Sequence, residues 1–337
     1  MNSILLLSLL ISFNLSILVL PFWIKKCKQV GLVWEDMNKF NSPKNVAASG
    51  GIVVIFAFIF GVLSYIAIRT FVIKDGIESL QIFSLLCVIL ILGMIGLTDD
   101  LFGWRHGGLS KRARIILVIM ASIPLIVINA GVHEINFPIL ESINLGLFYP
   151  LFLIPLGIAG ATTTYNFLAG INGLEAGQGV IILGFLSLVA YLTGNSWLAV
   201  VGLCMVASLL GFYFYNKYPA KVFPGDIMTY SIGALIAGMA ILGNFEKIAV
   251  FVFTPYIIET GLKLRGKLKK PSFGIPEKDG SLKLPYKKLY GLTHVSIWIL
   301  SKIKKKVYEK DVVYLIFGFQ IFICLLGLII FRGILFK

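Results

Sequence analysis

Charge is scarce in this chain. Only 14% of its 337 residues are Asp, Glu, Lys or Arg, against about 25% in soluble domains, and 58% are hydrophobic. That balance excludes a water-soluble globular protein. Because the apolar residues run through the whole length, it also excludes a secreted domain behind a signal peptide and a single-anchor protein. Histidine and cysteine are scarcer still. Three histidines (His106, His133, His294) and four scattered cysteines (Cys27, Cys87, Cys204, Cys324) without CxxC spacing give neither a zinc ligand set nor a disulfide framework. There is no GxSxG elbow, no Walker A loop and no GxGxxG fingerprint, so hydrolytic nucleophile, P-loop and dinucleotide schemes find no motif to attach to.

What is abundant is long apolar sequence. A membrane-spanning helix needs about 20 mostly apolar residues. Ten stretches qualify: 3–24, 50–69, 80–98, 115–131, 147–165, 178–193, 196–215, 228–243, 246–262 and 311–332. The expectation is an all-α polytopic membrane protein with about ten transmembrane helices, one integral membrane domain over 1–337. The 30 basic residues exceed the 16 acidic ones, and 25 of the 30 fall in alternate connections. Those are Lys25 to Lys44, Arg105 to Arg114, Lys217 and Lys221, and the long 263–310 segment. The positive-inside rule makes that side cytoplasmic and puts both termini outside. The basic excess reads as topology and attraction to anionic membrane lipids. Spread over juxtamembrane loops with no recognisable nucleic-acid module, it gives no support to nucleic-acid binding.

With so few acids, each one near membrane depth is a functional candidate. Asp99 and Asp100 are adjacent at the cytoplasmic end of the third stretch, where mutual repulsion and the helix macrodipole both disfavour negative charge. Pairing with Arg105 or Arg112 is one compensation, and a divalent cation or a substrate proton is the favoured one. Residues 162–179 form a polar, glycine-rich break that contains Asn166, Gly170, Asn172, Gly173 and Glu175 but no Lys or Arg. Asn172-Gly173 suits a tight turn and Asn166 a cap, yet so much glycine and amide also suits a backbone lying close to a ligand, with oxygens for a hard cation. Asp226, preceded by Phe223-Pro-Gly, serves either as an N-cap or as a carboxylate that holds a metal bridging phosphates. Glu259 and Lys263 have the spacing of a helical ion pair. Hard oxygens beside many cations describe Mg²⁺ and phosphate chemistry rather than zinc.

At these residues the sequence resembles the polyprenyl-phosphate N-acetylhexosamine-1-phosphate transferases, and most of all their eukaryotic and archaeal dolichyl-phosphate branch. The block Asn166-Phe-Leu-Ala-Gly-Ile-Asn-Gly-Leu-Glu-Ala-Gly-Gln178 resembles that branch's signature loop. Glu35-Asp36-Met37-Asn38-Lys39, Gly50-Gly51, Asp99-Asp100 and Pro219 to Asp226 follow the family's order, and the likeness covers essentially the whole chain. The resemblance implies a ten-helix enzyme that moves GlcNAc-1-phosphate from UDP-GlcNAc to a membrane polyprenyl (dolichyl-type) phosphate, releases UMP with Mg²⁺ or Mn²⁺, and begins lipid-linked glycan assembly of the N-glycosylation type. It implies Asn166 and Asp226 as metal ligands, and Asn172 and Phe223 as uracil contacts. Asp36 and Met37 then lie near the nucleoside, with Gly170, Gly173 and Glu175 in the substrate loop. Asp99 and Asp100 match the paired aspartates, with their separate roles open. Arg114, or Lys111 one turn earlier, stands where the family has a phosphate-binding lysine. Residues 263–310 match the loop that closes over the sugar phosphate, but Ser272 and Gly274 replace its arginines, which leaves Lys269, Lys270 or Lys278 to clamp the pyrophosphate.

Such a reaction exchanges one phosphoanhydride for another, and the obstacle is anion meeting anion. An acceptor phosphate monoester has a second pKa of about 6, so a dedicated base is weakly motivated at neutral pH. A covalent Asp99 intermediate is the competing mechanism. Three functional alternatives remain beside this reading: another UDP-N-acetylhexosamine donor, undecaprenyl phosphate as acceptor, and a membrane transporter, whose paired interrupted segments are not seen in this chain. Assembly as a homodimer is left open.

Overall fold

The computed structural model describes residues 5–74, 78–135 and 143–335. In chain order its helices are α1 (Leu6–Val30), α2 (Gly51–Ala67, prolonged by a π-helical turn Ile68–Ile73), α3 (Ser79–His106), α4 (Lys111–Met120), α5 (Ile123–Val127), α6 (Ile154–Tyr165, preceded by a π-helical turn Tyr149–Leu153), α7 (Leu174–Leu192) and α8 (Ser196–Asn216). They continue with α9 (Gly225–Gly243), α10 (Glu246–Val252), α11 (Thr254–Arg265), α12 (Leu292–Ile303), α13 (Glu309–Ile330) and α14 (Arg332–Leu335). Seven of these are long and apolar enough to cross a membrane: α1, α2 with its π turn, α3, α7, α8, α9 and α13. The protein is thus a multi-pass membrane protein.

Three of the ten apolar stretches are interrupted instead of continuous. The 115–131 stretch divides into α4 and α5, 147–165 into a π turn and α6, and 246–262 into α10 and α11. Proline sits at the first or second position of α5, of the Tyr149–Leu153 turn, of α6 and of α11. There its missing N–H costs nothing to the helix it opens but cannot continue the one before. The all-α expectation also needs a small correction. Three two-stranded antiparallel ribbons are present among the described residues: β1 (Val33–Glu35) with β2 (Lys44–Ala47), β3 (Glu134–Ile135) with β4 (Ile143–Asn144), and β5 (Ile275–Pro276) with β6 (Leu282–Lys283). The 263–310 segment is not a plain loop, because it holds β5, β6 and the twelve-residue α12.

The bundle is built around α9, which packs against α2, α3, α6, α7, α8 and α10 and is buried along 83% of its apolar window. A central helix is buried on all sides, so its sequence is apolar all round rather than striped. Close approach of α3 to the start of α9 depends on Gly96, where a Cβ would lie 2.5 Å from the backbone of Asp226. The Gly50-Gly51 pair does similar work for α2. A Cβ on Gly50 would meet Val222 at 2.4 Å, and one on Gly51 would meet Met228 at 2.5 Å.

Candidate functional site

The C-terminal part of α3, the start of α4, the end of α6 and the start of α9 converge, and with them Asp99, Asp100, Arg114, Asn166 and Asp226. Asp100 accepts the Asp226 N–H at 2.8 Å and the Ile227 N–H at 3.4 Å. It thereby fills the N-terminus of α9 from another helix, the role that the sequence offered to Asp226 itself. The fit requires Gly225, whose φ is +73° and whose Cβ would fall 2.2 Å from Asp100 Oδ2. Asp99 is buried. Its Oδ1 accepts the Leu109 N–H at 2.6 Å, and its Oδ2 pairs with Arg114 Nη2 at 2.5 Å. Arg114 thus takes the place considered for Arg105 or Arg112. The side chains of Arg105 and Lys111 lie outside the described residues; the Lys111 backbone opens α4.

The Asp226 carboxyl meets that of Asp99 and feels both Asp100 and Arg114. Three carboxyls therefore share one guanidinium among the described residues, and like charges this close require a proton or a cation between them. One turn along α9, the Thr229 hydroxyl donates to Asn166 Oδ1 at 3.1 Å and to the Asp226 carbonyl at 3.3 Å. That places the Asn166 amide oxygen at the cluster's edge. Among the described residues no group of three or more His, Cys, Asp or Glu side chains is arranged to hold a metal alone. The donors present are an Asp carboxylate, an Asn amide oxygen and an excess of negative charge. This fits Mg²⁺, which is bound by one or two carboxylates together with waters and substrate phosphates.

A second group joins the N-terminal ribbon, the glycine-rich loop and α13. The Asn172 side chain donates to Asp36 Oδ2 at 3.1 Å, and the Asn172 N–H donates to Glu309 Oε1 at 2.7 Å. Lys39 pairs with Glu309 and lies 3.5 Å from Asp36. The Asn38 amide donates to the Gly170 carbonyl at 2.6 Å, and the Gly170 N–H to Glu175 Oε1 at 2.8 Å. Glu175 is buried and accepts the Tyr165 hydroxyl on its own carbonyl at 2.6 Å, so it shapes the 166–173 loop from within. Gly173 directly precedes α7. Phe223 is half-buried, bonded through its backbone to Ala47 and Gly50, and Met37 is 42% exposed beside buried Asp36.

A cavity of about 280 Å³ opens between the 166–169 segment and the 263–273 segment, walled by Asn166, Phe167, Lys263, Lys270, Ser272 and Phe273. Lys270 stacks over Tyr286, while Lys269 and Lys278 are exposed and do not line this cavity. Burial pulls the Lys263 amine below the usual lysine range, opposed by Glu259. His294, fully buried on α12, accepts the Tyr290 N–H on Nδ1 at 3.3 Å and is held below the usual histidine value by burial, hence neutral.

Sequence reasoning missed Glu309, Lys263 and Thr229. Glu309 adjoins the 311–332 stretch and reads as its hydrophilic flank, although an acid in a first helical turn three residues after Lys306 is a visible signal. Lys263 reads as the partner of Glu259, and that pair is present only loosely, at 3.8 Å.

Residues 82–244 match the family described as glycosyl transferase family 4. A protein of Saccharolobus solfataricus assigned as a UDP-N-acetylglucosamine–dolichyl-phosphate N-acetylglucosaminephosphotransferase is 34% identical, over 96% of both chains. One of the same name from Sulfolobus acidocaldarius is 32% identical over 96% of this chain and 95% of its own. A phospho-N-acetylmuramoyl-pentapeptide-transferase of Halalkalibacterium halodurans is 29% identical over 79% of this chain and 86% of its own. The chain belongs to glycosyl transferase family 4, among the polyprenyl-phosphate N-acetylhexosamine-1-phosphate transferases.

Proposed function

We propose that the protein transfers GlcNAc-1-phosphate from UDP-GlcNAc to a dolichyl-type polyprenyl phosphate in its own membrane, releasing UMP, with the active site on the cytoplasmic face. The observation that carries this reading is the meeting of Asp99 and Asp100 of α3, Arg114 of α4, Asn166 directly after α6 and Asp226 of α9. Near-full-length likeness to two archaeal proteins assigned this activity supports it.

Asp226 and Asn166 would hold Mg²⁺, which would supply charge neutralisation for the donor's diphosphate and for the leaving nucleotide. Everything else falls to the chain. Asp99 spends both oxygens on the Leu109 amide and Arg114, which sets the guanidinium beside the carboxyl cluster, where it attracts the acceptor's phosphate. Both oxygens being engaged speaks against Asp99 as a covalent nucleophile. Incubation with labelled donor and no acceptor is expected to leave the protein unlabelled. Asp100 fixes the first turn of α9 and so the position of Asp226. The Asp36–Asn172–Glu309–Lys39 group presents the nucleoside side of the donor. The acceptor oxygen is largely ionised above pH 6, so alignment and charge neutralisation carry most of the rate.

The test uses purified protein in detergent with UDP-GlcNAc, dolichyl or undecaprenyl phosphate and Mg²⁺. UMP and a lipid pyrophosphate sugar are expected, and UDP release, or no UMP with any UDP-N-acetylhexosamine and polyprenyl phosphate, defeats the reading. A second reading keeps the chemistry and changes the donor sugar or the acceptor, favoured by the 29% likeness to the bacterial muramoyl-pentapeptide transferase. Exchanging the substrates within the same assay distinguishes the two.

A further inference from the structure

The two cavities beside the carboxyl cluster differ in chemistry. One, of about 350 Å³ between α3 and α4, is walled by Leu90, Met94, Ile95, Leu109 and Leu117, with Thr98 its one polar residue. The other, walled partly by Asn166, carries two lysines and no carboxylate among its lining residues, and so is built for an anion.

Within it, Lys263 is set apart from the other basic residues of the 263–310 segment. Its side chain is only 13% exposed, and a cation kept out of water needs a standing partner. Its ammonium donates to the Ser272 hydroxyl. Glu259, with no exposed surface, stands 3.8 Å away, beyond hydrogen-bond reach. The nearer Glu259 oxygen has no hydrogen-bond partner, and the other is taken by the Leu292 N–H at 2.5 Å. Glu259 therefore balances the charge of Lys263 without occupying its donors. An ammonium has three, and one is spent on Ser272. The charge of Lys263 acts in turn on His294, buried on α12, and helps to hold it below the usual histidine value.

We infer that Lys263 holds the sugar-linked phosphate of the nucleoside diphosphate donor, with Ser272 aiming its ammonium and Glu259 keeping it charged inside the wall shared with Asn166. This assignment rests on the proposed transferase reading. It gives the donor's diphosphate a fixed cation from α11 beside Lys270, one of the three lysines to which the sequence pointed, which lines the same wall.

The test compares binding of UDP and of uridine to the full-length protein in detergent by calorimetry. In Lys263→Met, UDP is expected to bind about 10- to 100-fold more weakly, the worth of a charge-assisted hydrogen bond, while uridine affinity is unchanged. Lys263→Arg recovers most of the loss. In the kinetics, KM for UDP-GlcNAc rises and KM for polyprenyl phosphate does not. The double variant Glu259→Gln/Lys263→Met separates the two roles. If Lys263 only neutralised Glu259, the double variant would regain UDP affinity; if it holds phosphate, affinity stays low. Wild-type UDP affinity in Lys263→Met, or its return in the double variant, overturns the inference. Should Lys263→Met lose uridine binding as well, Ser272→Ala decides: several-fold weaker UDP with unchanged uridine supports it, and unchanged UDP overturns it. A wild-type protein that binds neither UDP nor UDP-GlcNAc defeats the transferase reading itself.

Discussion

Asp226 stands among charges of its own sign, and that decides how its removal behaves. Taking one carboxyl from three that share Arg114 relieves repulsion, so Asp226→Ala is expected to keep its fold and its metal-free melting temperature. It is also expected to lose the stabilisation that Mg²⁺ and UDP give the wild type, and at least about a hundredfold in activity. Thermal melts with and without Mg²⁺, beside an activity assay, check both halves; full activity would remove Asp226 from the metal site. Asp100 answers to pH. Its carboxylate holds the first amides of α9, and Asn retains an acceptor there, so Asp100→Asn keeps the fold. At pH 8 the acceptor phosphate is already ionised and the loss is a few-fold. At pH 5.5, below its second pKa of about 6, the proton must be taken up by a neighbour and the loss reaches about a hundredfold or more. Equal losses at both pH values would contradict a positioning role with residual proton removal.

Among the elements, the first turn of α9 and the first turn of α13 carry the site. Gly225→Ala puts a side chain at φ +73° and drives a methyl into the Asp100 carboxylate. A cost of about 1–3 kcal/mol is expected, read as a lowered melting temperature together with loss of activity. Glu309→Gln removes the charge that holds Lys39 and weakens the acceptor for the Asn172 N–H. Uridine and UDP are then expected to lose affinity alike, by about tenfold, in contrast to Lys263→Met, which weakens UDP alone. Both first turns show what sequence can and cannot reveal. Asp99, Asp100, Asn166, Asn172 and Asp226 stand out because acids and amides at the ends of apolar stretches are costly unless used. Glu309 belongs to the same class but is 137 residues from Asn172, and no local pattern links the two. The splits at α4/α5 and α10/α11 were legible only as prolines within apolar runs. A proline bends some helices and ends others, and tertiary packing settles which. α12 stayed hidden because its twelve residues are too few for the roughly 20-residue apolar run that marks a membrane span, and because the face it buries includes polar Thr293, His294 and Ser296 while Trp298 and Ile303 stay exposed.

For the whole molecule, composition already fixed the class, since a chain 58% hydrophobic and 14% charged has only the membrane to fold in. The charges do two things at once. On the proposed reading, their distribution orients the chain by the positive-inside rule, and near the helix ends they gather two anionic substrates whose own charges keep them apart. If the three interrupted stretches cross as well as the seven continuous helices, ten spans put both chain termini on the side opposite the catalytic cluster. Single cysteines introduced in a background lacking the four native ones report this: one replacing exposed Lys288 reacts with an impermeant maleimide only from the cytoplasmic side, and one added at either terminus only from the other. The central claim is that the bond broken lies at the donor's β-phosphorus, so that UMP is the leaving group. UDP-GlcNAc labelled on the β-phosphate, incubated with the protein, polyprenyl phosphate and Mg²⁺, tests it directly. The account predicts that the label moves into the lipid pyrophosphate fraction as unlabelled UMP accumulates; label remaining in water-soluble UDP while sugar reaches the lipid would contradict it.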